Sequence, residues 1–257
     1  MGEMTLRVVG LVVFMSCTAY LRGENTENNK VDPKQDQKMI ALEKVERTSN
    51  FVMSTTLINQ HMWRGFASGN APAMEPYIAW RYKNFSINAW AAYAINGSYR
   101  EFDMWATYTW KNFTFGVFDY FSPEPDQPNP RFFNYSNDDT KHLIEYQIQY
   151  DGKAIPISIM YAQFIHGFDK NEDGGQNLSR YIELGYTFVL PNGKLKLEVG
   201  FTPAKGMYAP QASIFNYGIT LEKQMRFSSE LSVPAKYKLI YNKETNDVHF
   251  TVAFVIE

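Results

Sequence analysis

The residues best suited to chemistry in this chain are four histidines, His61, His142, His166 and His249, and a single cysteine, Cys17. Metal ligands recur at short, defined spacings, and neither a His-x-x-x-His nor a Cys-x-x-Cys run occurs. There is also no Gly-x-Ser-x-Gly elbow and no phosphate-cradling glycine loop. Ser136 and His142 lie close together near the longest loop, as a lipid hydrolase of the outer membrane would require. Nothing marks a third, orienting group, and Ser136 belongs to a polar Asn-Tyr-Ser-Asn-Asp run. The expectation is a chain with no catalytic residues and no cofactor.

One loop resembles a cation site. Asp169-Lys170-Asn171-Glu172-Asp173-Gly174 matches the start of a calcium-binding loop, with Asp169, Asn171 and Asp173 as the oxygen ligands and Gly174 at the turn. The position that should carry a bidentate glutamate is Arg180. An acidic surface loop without a metal is therefore the default. Asn84, Asn96, Asn112, Asn134 and Asn177 each begin an Asn-x-Ser/Thr triplet, a frequency that chance explains in a chain this rich in Asn and Ser.

The remaining charge follows an alternating pattern. Glu101, Asp103, Thr107 and Thr109 oppose Phe102, Met104, Ala106, Tyr108 and Trp110, and Lys196 and Glu198 oppose Leu195, Leu197 and Val199. In an extended strand each set occupies one face. Collected this way, Arg81, Glu101, Asp103, Glu145, Gln147, Glu183, Lys196, Glu198, Glu222, Lys236 and Lys238 are the candidate lining of a wet interior. Acids of the earlier strands and lysines of the later ones are expected to face each other across it.

These residues must be held by strands. From Ser49 onward the chain falls into twelve segments, from Ser49–Gly65 to Asp247–Ile256, most with period-two alternation. Tyr82-Lys83-Asn84-Phe85 and Trp110-Lys111-Asn112-Phe113 repeat one tight turn with aromatics at its base. Short connections alternate with longer ones such as 66–74, 122–140, 167–177 and 203–212, with two short exceptions among the latter set at 96–98 and 242–246. Short and long connections at opposite ends are the pattern of a transmembrane barrel, with short periplasmic turns and longer outer loops. Tyr82, Phe85, Trp110, Phe113 and Tyr150 are the candidate aromatic belt at the periplasmic interface. A soluble sandwich also alternates, but it has no need of loops sorted by length or of aromatic turn flanks.

Composition agrees. The 257 residues are 45% hydrophobic and 16% aromatic, and no run reaches the roughly 18 apolar residues of a spanning helix. A net charge of −2 leaves no nucleic-acid footprint. Residues 1–22 read as a signal peptide, with Arg7 before an apolar stretch and small residues at Ser16, Cys17 and Ala19. A lipoprotein site at Cys17 is the alternative, and Phe14 fits it poorly. Residues 23–48 read as a flexible polar leader and 49–257 as the barrel.

From Thr55 to Phe121 the chain resembles the TorF-like family of outer-membrane porins of Gram-negative bacteria. The likeness rests on Trp63-Arg64-Gly65, Pro76-Tyr77-Ile78, Asn88-Ala89-Trp90-Ala91 and the Glu101-x-Asp103 pair. It implies an outer-membrane location and no catalytic residues. Such barrels commonly end on an aromatic residue, whereas this chain ends Phe254-Val255-Ile256-Glu257. The combined expectation is an all-β, up-and-down antiparallel barrel of about twelve strands in the bacterial outer membrane. It would pass small solutes through a mixed-charge lumen, with a filled structural or binding barrel as the alternative.

Overall fold

The alternating segments form strands throughout the residues that the computed structural model describes, 50–136 and 139–257. In chain order they are β1 (Phe51–Ile58), β2 (His61–Trp63), β3 (Phe66–Ser68), β4 (Ala73–Tyr82), β5 (Phe85–Ala94), β6 (Arg100–Trp110) and β7 (Phe113–Phe121). There follow β8 (His142–Asp151), β9 (Ile157–Gly167), β10 (Arg180–Leu190), β11 (Gly193–Thr202), β12 (Ser213–Arg226), β13 (Ser232–Asn242) and β14 (Asp247–Ile256). No helix occurs among the described residues. β1 and β4 to β14 pair antiparallel with their neighbours as a closed twelve-stranded barrel, and β2 and β3 form a separate hairpin. Closure leaves no unpaired edge. The seam joins β1 to β14 through Thr55↔Ile256 and Leu57↔Phe254.

The first strand is shorter than its alternation suggested. It ends at Ile58 and not at Gly65, and the chain turns back on itself at Arg64-Gly65. The physical cause lies at Asn59. Its side-chain amide donates to Phe250 O (3.0 Å), and its side-chain oxygen accepts from Val252 N (2.7 Å). These bonds replace the next rungs of the β1–β14 ladder and free the backbone to leave the wall. Arg64 (φ 49°) and Gly65 (φ +87°) then make the reversal. An alanine Cβ at Gly65 would lie 2.9 Å from Asn216 Oδ1, so the wall of β12 also demands glycine there.

The registers sort side chains onto two faces. One face carries Met53, Ile78, Ile87, Met104, Phe115, Ile148, Ile159, Leu184, Leu197, Ile219, Leu239 and Phe250. Most of these are exposed although apolar. Among the described residues, the Asp, Glu, Lys and Arg of this face are Arg100, Asp119, Arg180 and Lys223, all near strand ends. The opposite face lines the inside and holds the buried cluster Leu143, Ala162, Phe164, Tyr181, Tyr208 and Phe215, packed by Trp63 and Phe66 of the hairpin. Short turns collect at one end: 83–84, 111–112, 152–156, 191–192 and 227–231. Lys83 (φ 54°) and Lys111 (φ 56°) occupy the left-handed region in the two repeated turns.

Candidate functional site: the charged interior and its inturned hairpin

The strand registers place every predicted lining residue, from Arg81 in β4 to Lys238 in β13, on the inward face. They do not face each other as expected. Lys196 lies 3.0 Å from Glu183 and 3.3 Å from Glu198, Lys238 also pairs with Glu198, and Lys236 lies 2.8 Å from Glu222. These bridges join a residue to its own strand, to an adjacent one or, for Lys238 and Glu198, to the next strand but one past β12, and none reaches β6 or β8 across the interior. Neighbouring strands sit about 4.8 Å apart, within easy reach of a lysine, so the near acid wins over the far one. Glu101 and Asp103 share the inward face of β6, and Arg81 is exposed near the short-turn end.

Glu145 and Gln147 meet a partner that the alternation did not announce. Arg64, at the tip of the hairpin, donates to both carboxylate oxygens of Glu145 at 2.6 and 2.8 Å. Tyr120 OH (2.7 Å) and Gln147 Nε2 (2.8 Å) donate to the same carboxylate, and Arg64 also donates to Tyr208 OH. The guanidinium lies over the rings of Trp63 (4.6 Å) and Tyr181 (4.7 Å). Burial pushes the Tyr208 hydroxyl well above its ordinary range, so it binds as a neutral group. A planar, bidentate guanidinium suits this site in a way an ammonium does not. The network continues through Asn216 Nδ2, which donates to Tyr181 OH (2.8 Å), itself a donor to Glu183 (2.9 Å). Asn242 Nδ2 donates to Gly65 O (3.1 Å) and fixes the hairpin tip to β13. The loop end of the interior is therefore occupied by a salt bridge set in aromatics. Its one sequence signal was Trp63-Arg64-Gly65, which reads equally well as the end of a strand.

The other candidates resolve differently. Asp169 is buried and its oxygens accept from Ser179 N (2.8 Å), Ser179 Oγ (2.8 Å) and Asn177 Nδ2 (3.1 Å). Asn171 Oδ1 accepts from the backbone of Asp173 (3.1 Å) and Gly175 (2.8 Å), and Asp173 is exposed. Those oxygens staple the loop and do not converge on a cation; among the described residues no three His, Cys, Asp or Glu side chains do. Ser136 is not brought to His142. Its hydroxyl donates to Asp139 Oδ1 (2.6 Å), while His142 lies 2.6 Å from Asp119 Oδ1 and 2.5 Å from Phe132 O. His61 sits 2.7 Å from Glu75 and stacks on Tyr99 (5.3 Å).

Tyr82, Phe85, Trp110, Phe113 and Tyr150 all occupy the outward face at the short-turn end. Phe113 and Tyr150 are in ring contact at 5.1 Å. The signal peptide, the polar leader and Cys17 lie outside the described residues.

No protein-family model matches the chain, and no curated protein matches it. Among solved structures it is similar to a KdgM porin (8% identity, TM-score 0.44, covering 80% of this chain and 98% of that one). It is also similar to an outer membrane channel from Pseudomonas putida F1 (12%, 0.41, covering 80% and 94%). A porin of Rhodopseudomonas blastica follows (8%, 0.39, covering 81% and 73%). At these values the likeness is loose, and what the barrel does must be argued from its own geometry.

Proposed function

We propose that this barrel spans a bacterial outer membrane and conducts small solutes passively, through an interior narrowed by the β2–β3 hairpin. The observation that carries the reading is the sorting of its two faces. The outside is apolar between its ends, while Lys196, Lys236, Lys238 and their acids point inward. A lysine or arginine on a lipid-facing strand costs about 2–4 kcal/mol at the midplane, so this sorting fits an outer face in lipid and an inner face in water. Twelve strands lie between the eight that leave room for side chains alone and the sixteen that leave an open channel. The aromatic residues beside the short turns suit the periplasmic interface. The N-terminal stretch read from the sequence as a signal peptide and the TorF-like resemblance support that location.

Single-channel recording of the full chain in planar bilayers tests the reading. Stepwise conductance supports it. A folded, inserted barrel that conducts nothing overturns it in favour of a filled structural barrel. The Arg64–Glu145 cluster at the loop end favours that second reading. Removing 61–68 separates the two: conductance rises if the hairpin narrows a path and stays absent if the barrel is filled throughout.

A further inference from the structure

Five aromatic rings scattered through the sequence form one continuous track on the inward face. Tyr77 of β4 stacks on Trp105 of β6 (centroids 5.9 Å apart, planes at 25°), and Trp105 stacks on Phe118 of β7 (5.6 Å, 14°). Phe118 stacks on Tyr120 (6.0 Å, 14°), and Tyr120 meets Trp63 of the hairpin edge-on (6.1 Å, 66°). Strand side chains ordinarily stand away from the sheet. Phe118 instead lies down over Gly116, where a Cβ would come within 2.6 Å of its Cε2. All five residues are partly exposed. A ring laid along the wall turns its face, not its edge, to the interior.

Polar groups border this track. Tyr77 OH donates to Asn88 Oδ1 (2.7 Å). Asp103 stands in register between Trp90 and Tyr120 on the same inward face. It is only 7% exposed, and its Oδ1 has no hydrogen-bond partner among the described residues. That oxygen is closed off from the interior, whereas Glu101, two residues away on the same face, is partly exposed, and its carboxylate beside the ring faces is suited to a donor carried by a ligand.

We propose that the track is a binding site for neutral saccharides. Aromatic faces take the apolar C–H face of a pyranose, and the bordering acceptors take its hydroxyl protons. The carboxylates of Glu101 and Asp103 disfavour acidic sugars at the same place. The transport meaning of such a site rests on the channel reading above, but binding does not require conduction.

The test is calorimetry of the full chain refolded in detergent, titrated with maltohexaose and cellohexaose, with hexagalacturonate as the acidic comparison. Saturable binding of a neutral hexasaccharide is expected, weakened about tenfold by Trp105→Ala and at least about threefold by Glu101→Gln. If Trp105→Ala does not fold, Phe118→Leu removes a ring face and keeps most of its volume. The proposal is overturned if a folded barrel binds neither neutral sugar, if the variants bind as the parent does, or if the acidic sugar binds more tightly. Conductance is measured on the same preparation. Binding without conductance overturns the channel reading alone, and conductance without binding overturns this one alone.

Discussion

Arg64 clamps Glu145 across 81 positions of chain, with two hydrogen bonds of 2.6 and 2.8 Å, and the carboxylate it holds is fully buried. One partner is a hairpin tip and the other belongs to the barrel wall, so the bond couples the position of the hairpin to the wall. Removing either charge leaves the other buried without compensation. Arg64→Ala should therefore cost about 3–5 kcal/mol in urea unfolding from detergent or lipid. The double variant Arg64→Leu/Glu145→Leu should lose much less, because no orphaned charge remains. Equal losses in the two would show that the hairpin is held by its aromatic contacts and not by the ion pair.

Gly116 is matched to Phe118. A valine there would meet the ring at 2.6 Å or closer and push it off the wall. Overpacking of this kind costs about 1–3 kcal/mol. Gly116→Val should lower stability by that amount and reduce single-channel conductance, since the displaced ring enters the interior. Gly97 has nothing within 4 Å of an added Cβ but has φ +74°, so Gly97→Ala reports backbone strain alone and should leave conductance unchanged.

Charge reversal tests the lining. Lys236 lies 2.8 Å from Glu222, and Lys238 pairs with Glu198. Lys236→Glu/Lys238→Glu places acids against acids on the inward face and should raise cation over anion selectivity in reversal-potential measurements. Unchanged selectivity in a conducting, folded variant would show that the ion path avoids β13.

Topology is open to chemical labelling. Phe133, in the longest connection, is 88% exposed, so Phe133→Cys should react with an impermeant maleimide on intact cells. Lys83→Cys and Lys111→Cys, in the short turns, should react only after the outer membrane is opened. The reverse pattern would invert the orientation.

Period-two alternation by itself determined much of the architecture. Side chains of a strand alternate strictly, so Phe102 to Trp110 and Leu195 to Val199 could be sorted from their charged neighbours without coordinates. Tight turns are local as well, which is why Tyr82-Lys83-Asn84-Phe85 and Trp110-Lys111-Asn112-Phe113 were legible as hairpin ends. The tertiary structure decided everything that depends on which strands meet. The departure of the chain at Asn59 is set by its bonds to Phe250 and Val252, at the far end of the sequence. The choice of Glu183, Glu198 and Glu222 as lysine partners follows from strand register. The aromatic track draws its rings from β2, β4, β6 and β7, so no segment displays it. Alternation tells each residue which face it joins. Only closure of the barrel, with its stagger between strands, tells it which neighbours it will find there.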